Sequence, residues 1–223
     1  MDDEILLAAR VLVYSTLTRA YTEEPDALFL GTLTSDSFET AIGLVDSSSS
    51  SLLLDKLCEI KEHIESDNWS AMTLHVSQLA EEYNRIFVGP TTLHASPWES
   101  IHITGKRALF QPEVLSVREA YKRAGLLPER YQQVSDDYIG LELDFMTKLA
   151  QFALERYQAD DIASYREWLQ QAEEFLQRHL LKWIDSLAIA IKTHYGNCFY
   201  ALITELTAMY ATKDASYIQT LRP

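Results

Sequence analysis

Cysteine is scarce in this chain. Cys58 and Cys198 are the only two, they lie far apart, and no C-x-x-C pair exists. That excludes a disulfide framework and a zinc site built on thiolates. Glycine and proline are sparse as well. The seven glycines never fall closer than twelve residues apart and the six prolines are scattered, whereas an all-β chain needs turn residues about every 8–12 positions. Positive charge is in deficit, with 19 Lys and Arg against 33 Asp and Glu, for a net −14. A field of that sign repels phosphates and anionic lipid, so no nucleic-acid partner is expected and a cationic partner is favoured. Long apolar runs are missing too. IDSLAIAI at 184–191 lies between Lys182 and Lys192 and is far too short for a membrane span, so no stable membrane insertion is expected. The opening MDDEILLAAR places acids where a secretory leader needs bases, which points to a cytoplasmic location.

Catalytic signatures are absent in the same way. Neither G-x-x-x-x-G-K-[ST] nor G-x-G-x-x-G occurs, and no G-x-S-x-G elbow is present. The six histidines never stand four apart on a helix, and the single Glu-x-x-His pair, Glu99 with His102, cannot fill a coordination sphere. Asp136 and Asp137 are neighbours, and adjacent helical residues point about 100° apart, which rules out a catalytic dyad. They read instead as acids at a helix start. No enzyme activity, cofactor or metal is expected.

What the chain does contain is helical periodicity. Ile5, Ala9, Leu12 and Thr16 share a face of a first helix, and Pro25 opens a short second one through Leu33. Asp46 and the serines at 47–51 form an interhelical loop. Leu53, Leu57, Ile60 and Ile64 mark the next helix. Met72, Val76, Leu79, Tyr83, Ile86 and Phe87 mark another over 69–87, stopped by Gly89-Pro90. Pro112 starts a helix through Tyr121 that Gly125 closes. Ser135 reads as the N-cap of a helix whose buried stripe is Ile139, Leu143, Met146, Ala150 and Ala153. Three more segments follow at roughly 161–178, 180–194 and 197–212. No stretch alternates with period two for long, although Ile101-His102-Ile103 reads as a brief extended piece. The expected fold is all-α: a single globular helical domain over 1–223 with about eight or nine helices. A loop at 88–111 joins a smaller half at 1–88 to a larger one at 104–223.

Three motifs stand in order within this frame. The first is YNRIFVGP at 83–90 with SPWES at 96–100, the second SDDYIGLELDFM at 135–146, and the third HLLKW at 179–183. Together they resemble the signature of the TorD/DmsD/NarJ family of redox-enzyme maturation chaperones, in which a (Y/W)-x-R-L-F-V-G-P run precedes P-P-W-x-S. The family's E-P-x-D-H appears here with Val134, Ser135 and Tyr138 in place of the glutamate, proline and histidine, while Asp137 keeps the aspartate. Tyr138 retains a ring and a hydrogen-bonding tip but cannot become cationic as histidine can. The first 70 and last 30 residues match only in helical character.

The resemblance implies a cytoplasmic chaperone, not an enzyme. Its partners would be the twin-arginine signal peptide and the apo-molybdoenzyme catalytic subunit, of the dimethyl sulfoxide reductase type, held until the cofactor is inserted and export is allowed. The chaperone would carry no cofactor itself and would be a monomer or homodimer. The implied cargo site takes an apolar wall from Tyr83, Ile86, Phe87, Pro97 and Trp98, with Asp137, its neighbour Tyr138, and Glu99 at the acidic end. Carboxylates suit arginine pairs, and an aromatic beside them accepts a guanidinium face. The alternatives are a chaperone for a cytosolic enzyme without an export signal, a nucleotide-binding hydrolase, and a structural subunit.

Overall fold

The computed structural model of the chain describes residues 3–46, 51–65, 72–89, 93–106, 111–127 and 134–221. Within them lie eleven α-helices: α1 Asp3–Thr22, α2 Ala27–Leu33, α3 Asp36–Gly43, α4 Leu52–Glu65, α5 Met72–Tyr83, α6 Glu99–Thr104, α7 Pro112–Arg123, α8 Ile139–Gln158, α9 Ile162–Arg178, α10 Ile184–Tyr195 and α11 Phe199–Thr220. A π-helical turn, Asn84–Val88, extends α5, and a 3-10 turn, Leu180–Lys182, joins α9 to α10. No strand exists among the described residues; one isolated bridge pairs Trp98 with Tyr138. The fold is all-α. The serines at 47–50, residues 69–71 of the helix expected over 69–87, and Pro90 lie outside the described residues.

Local chemistry explains the boundaries. Asp26 and Ser35 cap α2 and α3 by accepting from Phe29 N and Phe38 N, so α2 starts at Ala27 rather than at Pro25. Pro112 occupies the first turn of α7, and Gly125 follows that helix with φ +69°. At the end of α5 the ladder widens, with Gly89 N donating to Asn84 O, and adjacent Ile86 and Phe87 both turn inward.

Helix α1 packs along α8, α8 along α9, and α10 along α11, while α11 also reaches α4 and α9. One continuous apolar core takes residues from both sides of the 88–111 segment. The stripe Ile139, Leu143, Met146, Ala150 and Ala153 of α8 is fully buried, as the spacing predicts. Helix α1 differs from expectation. Ile5 is 57% exposed, whereas Leu6, Leu7, Val13, Tyr14, Leu17 and Tyr21 are buried. The reason is that α1 meets α2, α3, α8 and α11, so burial wraps most of its circumference and blurs the single-face period. Inside this contact Arg10 forks onto Asp214 of α11 at 2.7 and 3.0 Å, and Tyr14 donates to the same carboxylate.

Candidate functional site

The segments before α6 and before α8 are bonded to each other. Glu99 N donates to Asp137 O and Ile139 N to Pro97 O, both at 3.0 Å, which makes the Trp98–Tyr138 bridge. Trp98 and Tyr138 occupy the N-cap positions of α6 and α8, and neither side chain caps its own helix. Asp137 supplies the missing cap for α6, with Oδ2 accepting from Ser100 N at 2.9 Å while Oδ1 accepts from Ser135 Oγ. The sequence predicts Ser135 as a cap and Asp136-Asp137 inside the first turn of α8. They form instead the turn ahead of it, because α8 begins at Ile139. Ile101-His102-Ile103 likewise belongs to α6 and is not extended.

Tyr138 reaches across to α1. Its hydroxyl donates to Tyr21 O, which also accepts from Tyr83 at 3.2 Å. That carbonyl sits in the last turn of α1 and has no partner within the helix, so the two phenols satisfy it. Gly140 makes the approach possible: a Cβ there would stand 2.6 Å from Thr22 Cγ2 and 2.7 Å from the Tyr138 ring. Beneath lies an aromatic layer in which Phe87 contacts Tyr21, Tyr83 and Tyr200 with ring centroids 5.0–5.6 Å apart.

The third motif closes the arrangement from the other side. His179 Nδ1 lies 3.0 and 3.2 Å from the Glu99 oxygens, and Trp183 Nε1 donates to Glu142 Oε2 at 3.1 Å. His179 and Trp183 therefore flank the 3-10 turn and grip one acid each; they do not share the face of one helix. Asp136 pairs with Arg118 and its carbonyl accepts from Tyr121. His102 contacts Ser96 O at 2.7 Å through Nε2 and Ser186 Oγ through Nδ1, so Nε2 carries the proton; burial holds its imidazole below the ordinary value, against the raising effect of that bond. The rings of His94 and His194 stack 5.0 Å apart and tie the segment ahead of Trp98 to the end of α10.

Of the predicted site residues, Pro97, Trp98, Glu99, Asp137 and Tyr138 meet at the bridge, and Tyr83 joins them through Tyr21 O. Ile86 and Phe87 are buried below the surface. Trp98 and Tyr138 are half-buried, and the Trp98 indole N–H is enclosed without a hydrogen-bond partner among the described residues. Glu99 and Asp137 are enclosed, at 1% and 0% exposure, so neither carboxylate faces solvent. Exposed acid lies nearby at Glu23 and Glu24, directly after the Tyr21 and Thr22 end of α1. A separate cleft of about 240 Å³ opens between α7 and α8, lined by Tyr121, Leu126, Leu127, Leu141 and Phe145. Sequence reasoning missed Tyr21 and Glu142. Glu142 had a signal, standing at helical spacing between Ile139, Met146 and Leu149 on an inward face; Tyr21 had none. No group of three or more metal-ligating side chains occurs among the described residues, and none of their helices is long and apolar enough to cross a membrane.

A helical chain with three motifs interlocked at one place defines the class. The family model described as nitrate reductase delta subunit matches residues 52–188, and the chain belongs to that family. Among its relatives, the chaperone protein TorD of Aeromonas salmonicida is 28% identical over 145 residues, covering 65% of this chain and 63% of that protein. The Tat proofreading chaperone DmsD of Salmonella typhimurium is 24% identical over 131 residues, covering 59% and 57%. TorD of Vibrio cholerae is 24% identical over 144 residues, covering 65% and 64%. The chain thus matches less than two thirds of the length of these relatives.

Proposed function

We propose that this protein is a cytoplasmic chaperone that acts by contact and not by catalysis. Its cargo is a molybdopterin-containing oxidoreductase of the dimethyl sulfoxide reductase type, held by its twin-arginine leader or in its apo form until the cofactor is loaded. The observation that carries the reading is the meeting of the three motifs around the Trp98–Tyr138 bridge, the third of them through Glu99 and Glu142, together with relatives named as chaperones. The half-buried rings of Trp98 and Tyr138 are the contact surface. Pro97, Tyr83, Ile86 and Phe87 form the layer that supports them, while Asp137 and Glu99 hold the Trp98 segment in position. Cargo meets the exposed part of the indole ring, since the N–H itself is enclosed.

Magnitudes fit a reversible grip. Burying three or four leucine-sized cargo side chains gives roughly 1.5–3 kcal/mol each, less the ordering of a flexible peptide. A net of about −8 kcal/mol corresponds to a micromolar Kd. The test is calorimetric titration of the protein with a twin-arginine leader peptide. Trp98→Ala is expected to weaken binding roughly tenfold or more without unfolding the protein, as truncation of a central aromatic anchor does. Unchanged affinity removes the site. The replacement of the family histidine by Tyr138 favours one second reading, a cytosolic partner without an export signal, and co-purification followed by identification of the bound enzyme separates the two.

A further inference from the structure

The two end residues of the third motif are closed to solvent and to cargo: His179 and Trp183 are 3% and 1% exposed. What it holds is a pair of enclosed acids from two different elements, Glu99 from α6 and Glu142 from α8. Two carboxylates ionised together in such a place repel strongly, and the repulsion is relieved when one keeps its proton. The donors present are limited. His179 serves Glu99 with Nδ1, Trp183 serves Glu142 Oε2, and among the described residues no group donates to Glu142 Oε1.

We propose that Glu142 is a positioning residue for Trp98: its carboxyl stays protonated beside Glu99, and this acid pair, gripped at its ends by His179 and Trp183, latches the Trp98 segment to α8 and to the α9–α10 joint. The inference rests on the reading of Trp98 as a cargo contact and adds a regulatory group to it. Glu142 carries the proton and faces the Glu99 carboxylate, which also receives the Nδ1 proton of His179. When pH rises the proton leaves to solvent, two negative charges face each other, and α6 with Trp98 at its start is pushed from its seat.

The surroundings agree. Burial first, and the charge of Glu99 second, push Glu142 well above the ordinary value of 4.5, against the lowering effect of the Trp183 indole, and Asp137 adds to the rise. The other group facing it is the Tyr121 hydroxyl on α7, itself driven up by burial and then by Glu142, Asp136, Asp137 and Asp144. His102 lies against Trp183 with ring centroids 5.3 Å apart, behind the donor. A group held protonated in the folded state and released in the unfolded chain gives stability that is full below the unfolded value and lost as pH rises through the folded one.

The experiment uses the whole protein and the Glu142→Gln variant, whose amide stays neutral while keeping an acceptor for Trp183 and a donor toward Glu99. In the free protein, carbon NMR of labelled glutamate carboxyls should show one carboxyl still protonated where the other glutamates have ionised, and Glu142→Gln should remove it. In leader-peptide titrations, the wild type should lose roughly fivefold or more in affinity as pH rises through that transition, and Glu142→Gln should stay flat. Absence of the protonated carboxyl overturns the latch, and so does a pH slope that persists in Glu142→Gln. If the peptide does not bind at all, the cargo reading fails by itself. The latch then stands or falls on the NMR signal and on whether amide exchange at Ser100 speeds up with pH, beyond the intrinsic rate, only in the wild type.

Discussion

Gly140 shows how tightly individual residues are held. A methyl group at this position would enter the space of Thr22 and of the Tyr138 ring, well inside normal contact distance. Alanine in place of glycine stabilises an ordinary helix by roughly 0.5–1 kcal/mol through backbone entropy, but overpacking of this kind costs about 1–3 kcal/mol. The strain should win. Gly140→Ala is expected to lower the denaturant midpoint and to break the Tyr138 bond to Tyr21 O, and chemical unfolding with the Tyr138 ring signals in NMR checks both. Much of the surrounding chemistry was legible residue by residue. Trp98 beside a proline in a connecting segment is conspicuous in the sequence, and in the fold it sits on the bridge to Tyr138. The partners of Asp137 were not legible, because the helix it caps begins 38 residues earlier in the chain and nothing local announces that meeting.

Among elements, the contact of α1 with α11 rests on an ion pair sealed from water. Arg10 and Asp214 are both fully buried and joined by two bonds, with Tyr14 adding a third. Removing one partner strands the other charge, at a cost of about 3–5 kcal/mol, whereas replacing both with apolar residues of similar volume is often neutral or stabilising. Asp214→Ala should therefore destabilise the protein severely, and the double variant Arg10→Met with Asp214→Leu should recover most of that loss in thermal unfolding. Helices with long, clean stripes such as α8 could be read from spacing alone. Helix α3, Asp36–Gly43, was missed because eight residues give barely two turns of periodicity, and α6 was misread because Ile101-His102-Ile103 happens to alternate.

For the molecule as a whole, the excess of acid matters most before contact. With a net charge of −14, the protein should draw a cationic leader in faster than an uncharged one. Screening shortens that reach to about 8 Å at physiological ionic strength, so the association rate should fall as salt rises while the dissociation rate changes little. Stopped-flow measurement of both rates across a salt series tests this, and a salt effect confined to dissociation would count against long-range attraction.

The enclosure of Glu99 and Asp137 has a consequence for how a partner is chosen. Acids shielded from water are equally shielded from dissolved ions, so the signature keeps its shape in brine and in dilute buffer alike. Sensitivity to salt belongs to the outer coat of acidic side chains. A leader would then be summoned from afar by groups it never meets, and inspected at arrival by two rings that carry no charge.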